Sequence, residues 1–431
     1  MIIHVIQAGD TIYSIGNQYH ISPERLILDN GITDPNTLVV GQAIVIVYPT
    51  ETYTVRAGDT LIGIANSHEI TLNQLLRNNP FLSDRDYIYT NEILVLRYGN
   101  ENKPQISTNG YAYPFIDKNI LRKTLPFLTY LTIFSYTALA DGSLIDIDDE
   151  ELIKLAKDYG TAPIMSISTL SPKGLGNREV AYSILYNEEI QDRQIENILT
   201  LLRTKGYYGL NISIHYMNLE NRNYYEYYLA KLTRRLNAEG YSVTLTLIAK
   251  TYIGINEVTY EEFDYTGVSQ VVNNMLILGY DWGYSYGPPT AVPSVHMSKI
   301  FFDKLITQVP PNMINVGISV MGYNWSLPYV LGISKAESLS TEAAIDLASQ
   351  VGATIYYEPN SASPYFQYTE FISGLLVHHI VWFKDARSAQ ALVDIVPEYS
   401  FRGVGIWNIM NYFSQLWLVI NTQYEVEKLL P

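Results

Sequence analysis

The sequence has no cysteine among its 431 residues. Disulfide frameworks and zinc sites built on thiolates are therefore excluded, and the fold must be held by packing in either redox environment. Basic residues are outnumbered by acidic ones, and the formal net charge is -15. Because nucleic-acid binding depends on Lys and Arg that neutralise phosphates, this balance disfavours nucleic acid as a partner. The seven histidines show no metal-ligand spacing, so neither a metal nor another cofactor is implied.

Long apolar runs are missing as well. No stretch reaches the roughly 18 to 20 apolar residues that span a bilayer, so we expect no transmembrane helix. The first residues carry neither the basic region nor the apolar region of a classical signal peptide, and we expect none. With 47% hydrophobic and 16% charged residues, the composition is that of a folded protein. The length exceeds what one core usually serves, which predicts at least two domains.

The first hundred residues contain an internal repeat with a period of 49, the interval from Gly9 to Gly58. Each copy predicts a β-α-α-β module, and we place the modules at 1–48 and 51–97. The alignment has one evident departure, Gly41 against Thr90. Its matched pairs include Gly9-Asp10-Thr11 with Gly58-Asp59-Thr60, Asn30 with Asn79, and Ile44 with Ile93.

These two copies resemble LysM modules, and the resemblance covers nearly all of residues 2–97. It implies binding to polymers that contain N-acetylglucosamine, such as peptidoglycan or chitin. In LysM modules the sugar is held mainly by backbone groups of the first loop and of the loop before the last strand. The first loop matches Gly9, Asp10 and Thr11 here and Gly58, Asp59 and Thr60 in the second copy. For those side chains we favour the simpler role of forming turns and helix caps. Tandem modules raise avidity for a repeating polymer.

From residue 107 onward, short β-branched runs alternate with longer amphipathic segments, an order that predicts parallel strands joined by helices. We therefore predict an α/β fold, a (β/α)8 TIM barrel over 107–431, preceded by a polar linker at 98–106. The interval 324–397 is too long for one helix and predicts a small α+β insertion before the last strand. The eight predicted strands are 107–112, 130–135, 162–168, 209–214, 242–248, 271–279, 315–322 and 403–407.

Motifs along the whole barrel resemble family 18 glycoside hydrolases, and specifically the spore cortex-lytic N-acetylglucosaminidases that carry paired LysM modules. The motifs that carry this resemblance are Asn109-Gly110-Tyr111-Ala112-Tyr113-Pro114-Phe115, Phe134-Ser135-Tyr136, Gly279-Tyr280-Asp281-Trp282, Gly322-Tyr323-Asn324-Trp325 and Gly403-Val404-Gly405-Ile406-Trp407.

The family's catalytic motif, Asp-x-x-Asp-x-Asp-x-Glu at the end of the fourth strand, is degenerate in this sequence. Its four positions are occupied by Tyr208, Asn211, Ser213 and His215. In the family the Glu protonates the glycosidic oxygen, and the preceding Asp orients the substrate's acetamido group, whose carbonyl attacks the anomeric carbon. Ser213 has no charge, and a histidine is an acid only as imidazolium. We therefore expect no catalytic residue here, and a pseudoenzyme.

His215 has two interpretations, and we favour a core histidine hydrogen-bonded to Ser213 or Tyr280 over a catalytic acid. The resemblance implies that the sugar-binding floor of the barrel survives. The indole of Trp407 matches the aromatic on which the family stacks the sugar, although an ordinary core role is the alternative. Further candidates for glycan binding in the barrel are Tyr280, Asp281, Tyr323 and Tyr136.

Three functions are open at this point. The first is a glycan-binding protein of the bacterial spore envelope with an inactive barrel. The second is an active cortex-lytic N-acetylglucosaminidase that acts in germination, with His215 assisted by a group such as Asp281. The third is a scaffold that binds spore coat proteins through the barrel. The resemblance also implies a protein made in the mother cell and deposited on the forespore.

Overall fold

A computed structural model gives the fold. It describes residues 1–83, 85, 87–99, 102–169, 177–213, 220–248, 251–253, 258–260, 264–278, 285–291 and 294–430, with only the backbone for 251–253 and 258–260. No helix in these ranges combines the length and the hydropathy that crossing a membrane requires.

The first module is a β-α-α-β unit, as predicted. Asn30 ends its second helix and ties that helix to the last strand: the Asn30 Oδ1 accepts from the N–H of Val45 at 2.7 Å, and its Nδ2 donates to the Val45 carbonyl at 2.9 Å. The side chain therefore satisfies two backbone groups of a buried strand. The elements are β1 (Ile2–Val5), α1 (Ile12–Tyr19), α2 (Pro23–Asn30) and β2 (Ala43–Ile46), with β1 and β2 antiparallel.

The second module repeats this plan but not at a constant period. Asn79 binds the backbone of Val95 just as Asn30 binds Val45, so the asparagines are 49 positions apart and the valines 50. One extra residue therefore lies in the loop before the last strand, and the gap-free alignment is wrong beyond Asn79. The equivalent pairs are Ile44 with Leu94 and Gly41 with Asn91, instead of Ile44 with Ile93 and Gly41 with Thr90. The elements are β3 (Pro49–Thr54), α3 (Leu61–Ser67), α4 (Leu72–Asn78) and β4 (Ile93–Tyr98).

After the modules, strands and helices alternate as predicted. In chain order the next elements are β5 (Gln105–Ala112), α5 (Lys118–Thr124), β6 (Tyr130–Ala138), β7 (Leu144–Ile145), α6 (Glu150–Asp158), β8 (Ala162–Ser168), α7 (Arg178–Tyr186), α8 (Glu188–Lys205), β9 (Gly209–Ser213), α9 (Arg222–Asn237), β10 (Ser242–Ile248), β11 (Thr251–Ile253), β12 (Val258–Tyr260), α10 (Tyr265–Val271), β13 (Asn274–Leu278), α11 (Val295–Leu305) and β14 (Ile314–Ser319).

The insertion before the last barrel strand is larger than predicted. It forms an antiparallel five-stranded sheet with one helix, and the long hairpin over 363–382 accounts for most of the additional size. Its elements are β15 (Gly322–Leu327), β16 (Glu337–Leu339), α12 (Thr341–Gln350), β17 (Tyr356–Glu358), β18 (Ser363–Ile372) and β19 (Leu375–Trp382). The chain then ends with α13 (Ala386–Val393), α14 (Ile395–Tyr399), β20 (Gly403–Trp407), α15 (Ser414–Gln423) and β21 (Glu425–Val426).

Within the described ranges, eight parallel strands close into a barrel, which confirms the predicted TIM fold. Closure occurs where β20 pairs with β5, with Gly403 opposite Ser107 and Trp407 opposite Tyr111. The strands are buried by helices on the outside and by each other's side chains inside, which explains their continuous apolar runs. In spatial order the barrel strands are β5, β6, β8, β9, β10, β13, β14 and β20.

Helix α15 packs between the barrel and both modules. Gln415 donates from Nε2 to the carbonyl of Ala43 at 2.7 Å and to Oδ1 of Asn30 at 3.2 Å in the first module. Asn421 donates from Nδ2 to Oδ1 of Asn78 at 2.8 Å in the second. These amides are buried, so each contact satisfies polar groups that water does not reach. The modules are therefore docked on the barrel by specific hydrogen bonds.

Candidate functional site

An aromatic cluster lies at the carboxyl ends of the barrel strands. Trp407, the last residue of β20, is half-buried, and its ring centroid lies 4.9 Å from that of Phe134, 5.6 Å from Tyr111 and 6.2 Å from Tyr113. The indole therefore keeps part of its surface exposed at the barrel mouth. The C–H face of a sugar packs favourably on such a ring. A sugar contact for Trp407 stays a prediction, and this placement supports it.

Two glycines in β20 bring its neighbours close. A Cβ on Gly403 would lie 1.9 Å from the carbonyl oxygen of Ser107, and one on Gly405 would lie 2.5 Å from Cδ1 of Leu276. Both glycines share the face of the strand that carries Trp407, because side chains two apart point the same way. The Gly-Val-Gly-Ile-Trp pattern thus lets Ser107 and Leu276 pack directly against the backbone of β20 and places the large indole at the barrel mouth.

A buried polar network lies next to the aromatic cluster. The Tyr111 hydroxyl is 3.2 Å from Oγ1 of Thr246, which also accepts from Nδ2 of Asn211 at 2.7 Å. Oδ1 of Asn211 is 3.4 Å from the hydroxyl of Ser166. Burial raises the pKa of Tyr111, so its phenol is neutral and can donate. These four polar side chains are all uncharged at neutral pH.

The fourth strand, β9, carries the degenerate motif. Asn211 is buried, and Ser213 is half-buried at the end of the strand, on the same face as Asn211. His215 lies outside the described residues. Tyr208 precedes the strand at its amino end, where its N–H donates to the carbonyl of Pro163 at 2.8 Å. It therefore lies at the opposite end of the barrel from the mouth and does not obstruct it.

Tyr136 does not line the mouth. Its side chain is fully buried between β6 and the helix layer, and its hydroxyl donates to the carboxylate of Asp149, which also accepts from Tyr207 and from Nζ of Lys205. Burial would lower the pKa of Lys205, but its hydrogen bonds with acidic and phenolic neighbours raise it above its usual value. This cluster links β6 to α6 and α8, so a structural role fits Tyr136 better than the predicted glycan contact.

The remaining barrel candidates are divided between described and undescribed residues. Tyr323 lies on β15 of the inserted sheet, half-buried, with its ring 5.5 Å from that of Trp325. The indole of Trp325 is buried and donates to the carbonyl of Gly287 at 3.0 Å, which joins the insertion to the loop after β13. Tyr280 and Asp281 lie outside the described residues, so their contact with a glycan stays a prediction.

In each module the predicted loop residues form a tight turn. Gly9 and Gly58 have φ of 93° and 88°, a left-handed conformation that favours glycine. The Asp10 carboxylate accepts from the N–H of Gln7 at 2.7 Å, and Asp59 accepts from the N–H of Arg56 at 2.7 Å. These backbone hydrogen bonds lower the pKa of both carboxyl groups.

The threonines of both loops act as helix caps. Thr11 and Thr60 each accept the N–H three residues later with their side-chain oxygen, at 3.0 Å. Together with the aspartates they build the loop rather than project from it. Binding of sugar by the backbone of these loops remains a prediction.

The polar network inside the barrel was not predicted from the sequence. Thr246 was not singled out, although it contacts both Tyr111 and Asn211. A signal was present: in the apolar strand β10, Thr244 and Thr246 alternate with leucine and valine, and hydroxyls at period 2 indicate the inner face of a barrel strand.

Comparisons with known proteins cover the whole chain. Residues 108–411 match the model of the glycosyl hydrolases family 18, and residues 4–47 and 53–97 match the LysM domain. The cortical fragment-lytic enzyme of Bacillus subtilis (strain 168) is 32% identical over 434 residues, 99% of each chain. The crystal structure of the Bacillus cereus spore cortex-lytic enzyme SleL matches with a TM-score of 0.80 and 30% identity, and that of Bacillus megaterium QM B1551 with 0.81 and 27%, each over 99% of both chains.

These similarities contradict the expected pseudoenzyme. Inactivity was inferred from the residue types at Ser213 and His215 alone, without the evidence of the rest of the chain. Relatives that match along 99% of their length, with both modules and the barrel, are named as lytic enzymes. The prediction of an inactive barrel is therefore wrong, and the chemistry has to be explained with the residues that this chain has.

Proposed function

The chain belongs to the glycosyl hydrolases family 18, with two LysM domains ahead of the family barrel, and from this premise we propose that it is a glycosidase that cleaves the glycan strands of spore cortical peptidoglycan. The similarity to a cortical fragment-lytic enzyme over 99% of both chains carries this proposal. A likeness confined to the barrel would support glycosidase chemistry alone. Here the binding modules and their order are shared as well.

The two modules supply the polymer binding. Gly9 and Gly58 hold equivalent left-handed turns, and neither has a heavy atom within 4 Å of where a Cβ would be. Backbone groups of both loops are therefore open to a sugar chain. Two modules that engage one repeating polymer raise the effective concentration of glycan at the barrel.

In the barrel, family 18 enzymes use the substrate's own acetamido oxygen as nucleophile, so the protein needs no nucleophilic side chain. What it must supply is a proton for the leaving oxygen and stabilisation of the positive intermediate. We assign the proton to His215, two residues after Ser213, and the negative charge to Asp281, both outside the described residues. The hydroxyl of Ser213 and the indole of Trp407 position the sugar.

Hydrolysis of purified cortical fragments tests the proposal. We expect the intact protein to release reducing ends, and His215→Ala to lower the rate by about 10² to 10⁴, the usual contribution of a positioned acid. His296→Ala, which removes an exposed histidine of α11, is the matched control and should leave the rate unchanged. Because an imidazolium is the donor, the rate should fall as pH rises and His215 loses its proton.

Two outcomes would contradict these assignments separately. If the intact protein released no reducing ends from cortical fragments between about pH 5 and 8, the proposed glycosidase function would be refuted. If release were undiminished in His215→Ala, the function would stand and the proton donor would be another group.

We further propose that the protein acts in the spore envelope, on the substrate named above. Deposition from the mother cell remains a prediction. Immunogold labelling of sporulating cells would check it: label confined to the forespore interior would contradict it.

A further inference from the structure

The cluster Tyr224-Tyr225-Glu226-Tyr227-Tyr228 has two different sides in the structure. Tyr225 and Tyr228 are buried, at 0% and 1% exposure, and form part of the core under α9. Tyr224 and Tyr227 are 48% and 52% exposed. Residues three apart on a helix share a face, so the cluster divides into a core pair and a surface pair. The core pair packs under α9, whereas the surface pair leaves about half of each side chain exposed to solvent.

The exposed pair continues onto a neighbouring helix. Tyr186, the last residue of α7, is 51% exposed, and its ring centroid lies 4.6 Å from that of Tyr224 and 5.6 Å from that of Tyr182. The hydroxyl of Tyr227 donates to a carboxylate oxygen of Glu188 at 3.4 Å. We call Tyr182, Tyr186, Tyr224 and Tyr227 the rim tyrosines.

The topology places the rim tyrosines on the mouth side of the barrel. Helix α9 follows the carboxyl end of β9, so its first turns, with Tyr224 and Tyr227, lie near the mouth. Helix α8 leads down to the amino end of β9, so its own first residue, Glu188, is also on the mouth side. Tyr186 lies two positions before Glu188. The rim tyrosines therefore flank the exit of the fourth strand, where the family's chemistry takes place.

The chemistry of this surface fits a sugar chain. Neighbouring rings are inclined by 71° and 76°, which gives a stepped aromatic surface with phenol hydroxyls and a carboxylate beside it. Sugar C–H faces pack on rings, and sugar hydroxyls donate to carboxylates. The guanidinium of Arg178 lies over the Tyr182 ring and Glu188 lies beside Tyr227, so these two charges balance. A nucleic acid or an anionic lipid surface needs an excess of cations and is therefore disfavoured.

From this placement we propose that the rim tyrosines form a secondary binding surface for N-acetylhexosamine glycan, which extends the path of a long strand beyond the barrel mouth. This inference rests on the proposed function for the identity of the glycan. On this proposal a long strand held at the rim also passes the carboxyl end of β9, whereas an oligosaccharide short enough to be held by the mouth alone leaves the rim empty. The surface therefore adds affinity only for long strands.

Glycan-length dependence in the full-length protein tests the proposal. We compare wild type with the triple variant Tyr186→Ala, Tyr224→Ala and Tyr227→Ala, and with the matched control Tyr356→Ala, which removes a tyrosine that is 57% exposed on the inserted sheet. Since one ring contact contributes about two- to tenfold in affinity, we expect the triple variant to bind cortical glycan strands about tenfold or more weakly. Its binding of chitotetraose should be unchanged, and the control should behave as wild type.

A folded triple variant that binds cortical strands within twofold of wild type would overturn the proposal. If the triple variant does not fold, nitration of the wild type with tetranitromethane decides instead. Added cortical strands should protect Tyr186, Tyr224 and Tyr227 but not Tyr356, and nitration that strands do not change would overturn the proposal. Binding and protection need no hydrolysis. A wild type that releases no reducing ends would therefore refute the glycosidase function and still leave the rim testable.

Discussion

Replacing Gly41 with alanine tests whether the first module is fixed to the barrel. Gly41 precedes β2 with a φ of 88°, and its carbonyl accepts from Nη2 of Arg387 at 3.1 Å. A Cβ at this position would lie 1.8 Å from the carbonyl oxygen of Ile355 and 2.8 Å from its carbonyl carbon. Because both neighbours are backbone atoms, no change of rotamer relieves the overlap. The module and the insertion would have to separate locally.

Gly240 provides the matched control for the magnitude. Its φ is 85°, and no heavy atom lies within 4 Å of where its Cβ would be, so Gly240→Ala carries only the cost of a left-handed residue, about 1 to 2 kcal/mol. Gly41→Ala adds the loss of the bond from the Ile355 N–H to the Val40 carbonyl, 2.9 Å, and of the Arg387 contact. At about 0.5 to 1.5 kcal/mol for a neutral bond and about 1.5 to 3 kcal/mol for a charged one, the excess is about 2 to 4.5 kcal/mol.

Hydrogen exchange followed by mass spectrometry measures this excess locally. Since each 1.4 kcal/mol is tenfold in an opening equilibrium, we expect amides of β2 and of residues 353–358 to exchange about 30-fold faster or more in Gly41→Ala than in wild type. Gly240→Ala should leave these peptides unchanged. Equal exchange in the two variants would refute a fixed interface, because the overlap with Ile355 would then cost nothing.

Two further predictions concern Trp407 at the barrel mouth and Asp10 in the first loop of the first module. Trp407→Ala should raise the KM for chitooligosaccharides about tenfold, because a contact of about 1.5 kcal/mol between the indole and the sugar is lost. Trp407→Phe should restore part of the lost affinity. An unchanged KM in Trp407→Ala would assign Trp407 to the core. The pKa of Asp10 is lowered in the folded state, so its contribution to stability is complete above about pH 4 and is lost as pH falls through the depressed value. Urea denaturation should therefore show a smaller loss of stability below about pH 4 in Asp10→Asn than in wild type, and identical pH profiles would contradict the role of this carboxylate.

The sequence was sufficient for most of the fold because its patterns are local. The strand 403–407 was predicted at its observed bounds, and α8 ends before Gly206, whose φ is 73° as a helix stop requires. The barrel could be predicted because its eight strands and the helices between them are each recognisable from a local pattern. Each of these features depends on residues that are close in the chain, so it can be recognised without knowledge of tertiary contacts.

The failures come from features that a periodic pattern does not contain. Side chains two apart on a regular strand share a face, which would put Phe134 and Tyr136 on the same face of β6. The pairing of β6 with β8 shifts register between Ile133 and Tyr136, so Tyr136 points to the helix layer instead. In the second module one inserted residue moved the last strand by one position. Loss of activity was inferred from residue types at Ser213 and His215, and the similarity to lytic enzymes along the whole chain overturned it.

Because both modules are docked on helix α15, the linker does not act as a flexible tether. Gln415 and Asn421 are six residues apart on α15, about 9 Å along its axis, and each holds a different module. Lys103, within the predicted linker, donates to the carbonyl of Asn421 at 2.7 Å, so this segment is itself attached to the helix. Packing rather than chain length therefore sets the distance from the Gly-Asp-Thr loop of each module to the barrel mouth. Under the proposed function, a strand held by a module meets the mouth at a fixed offset, and loosening this interface should slow cleavage of long strands while leaving short oligosaccharides unaffected.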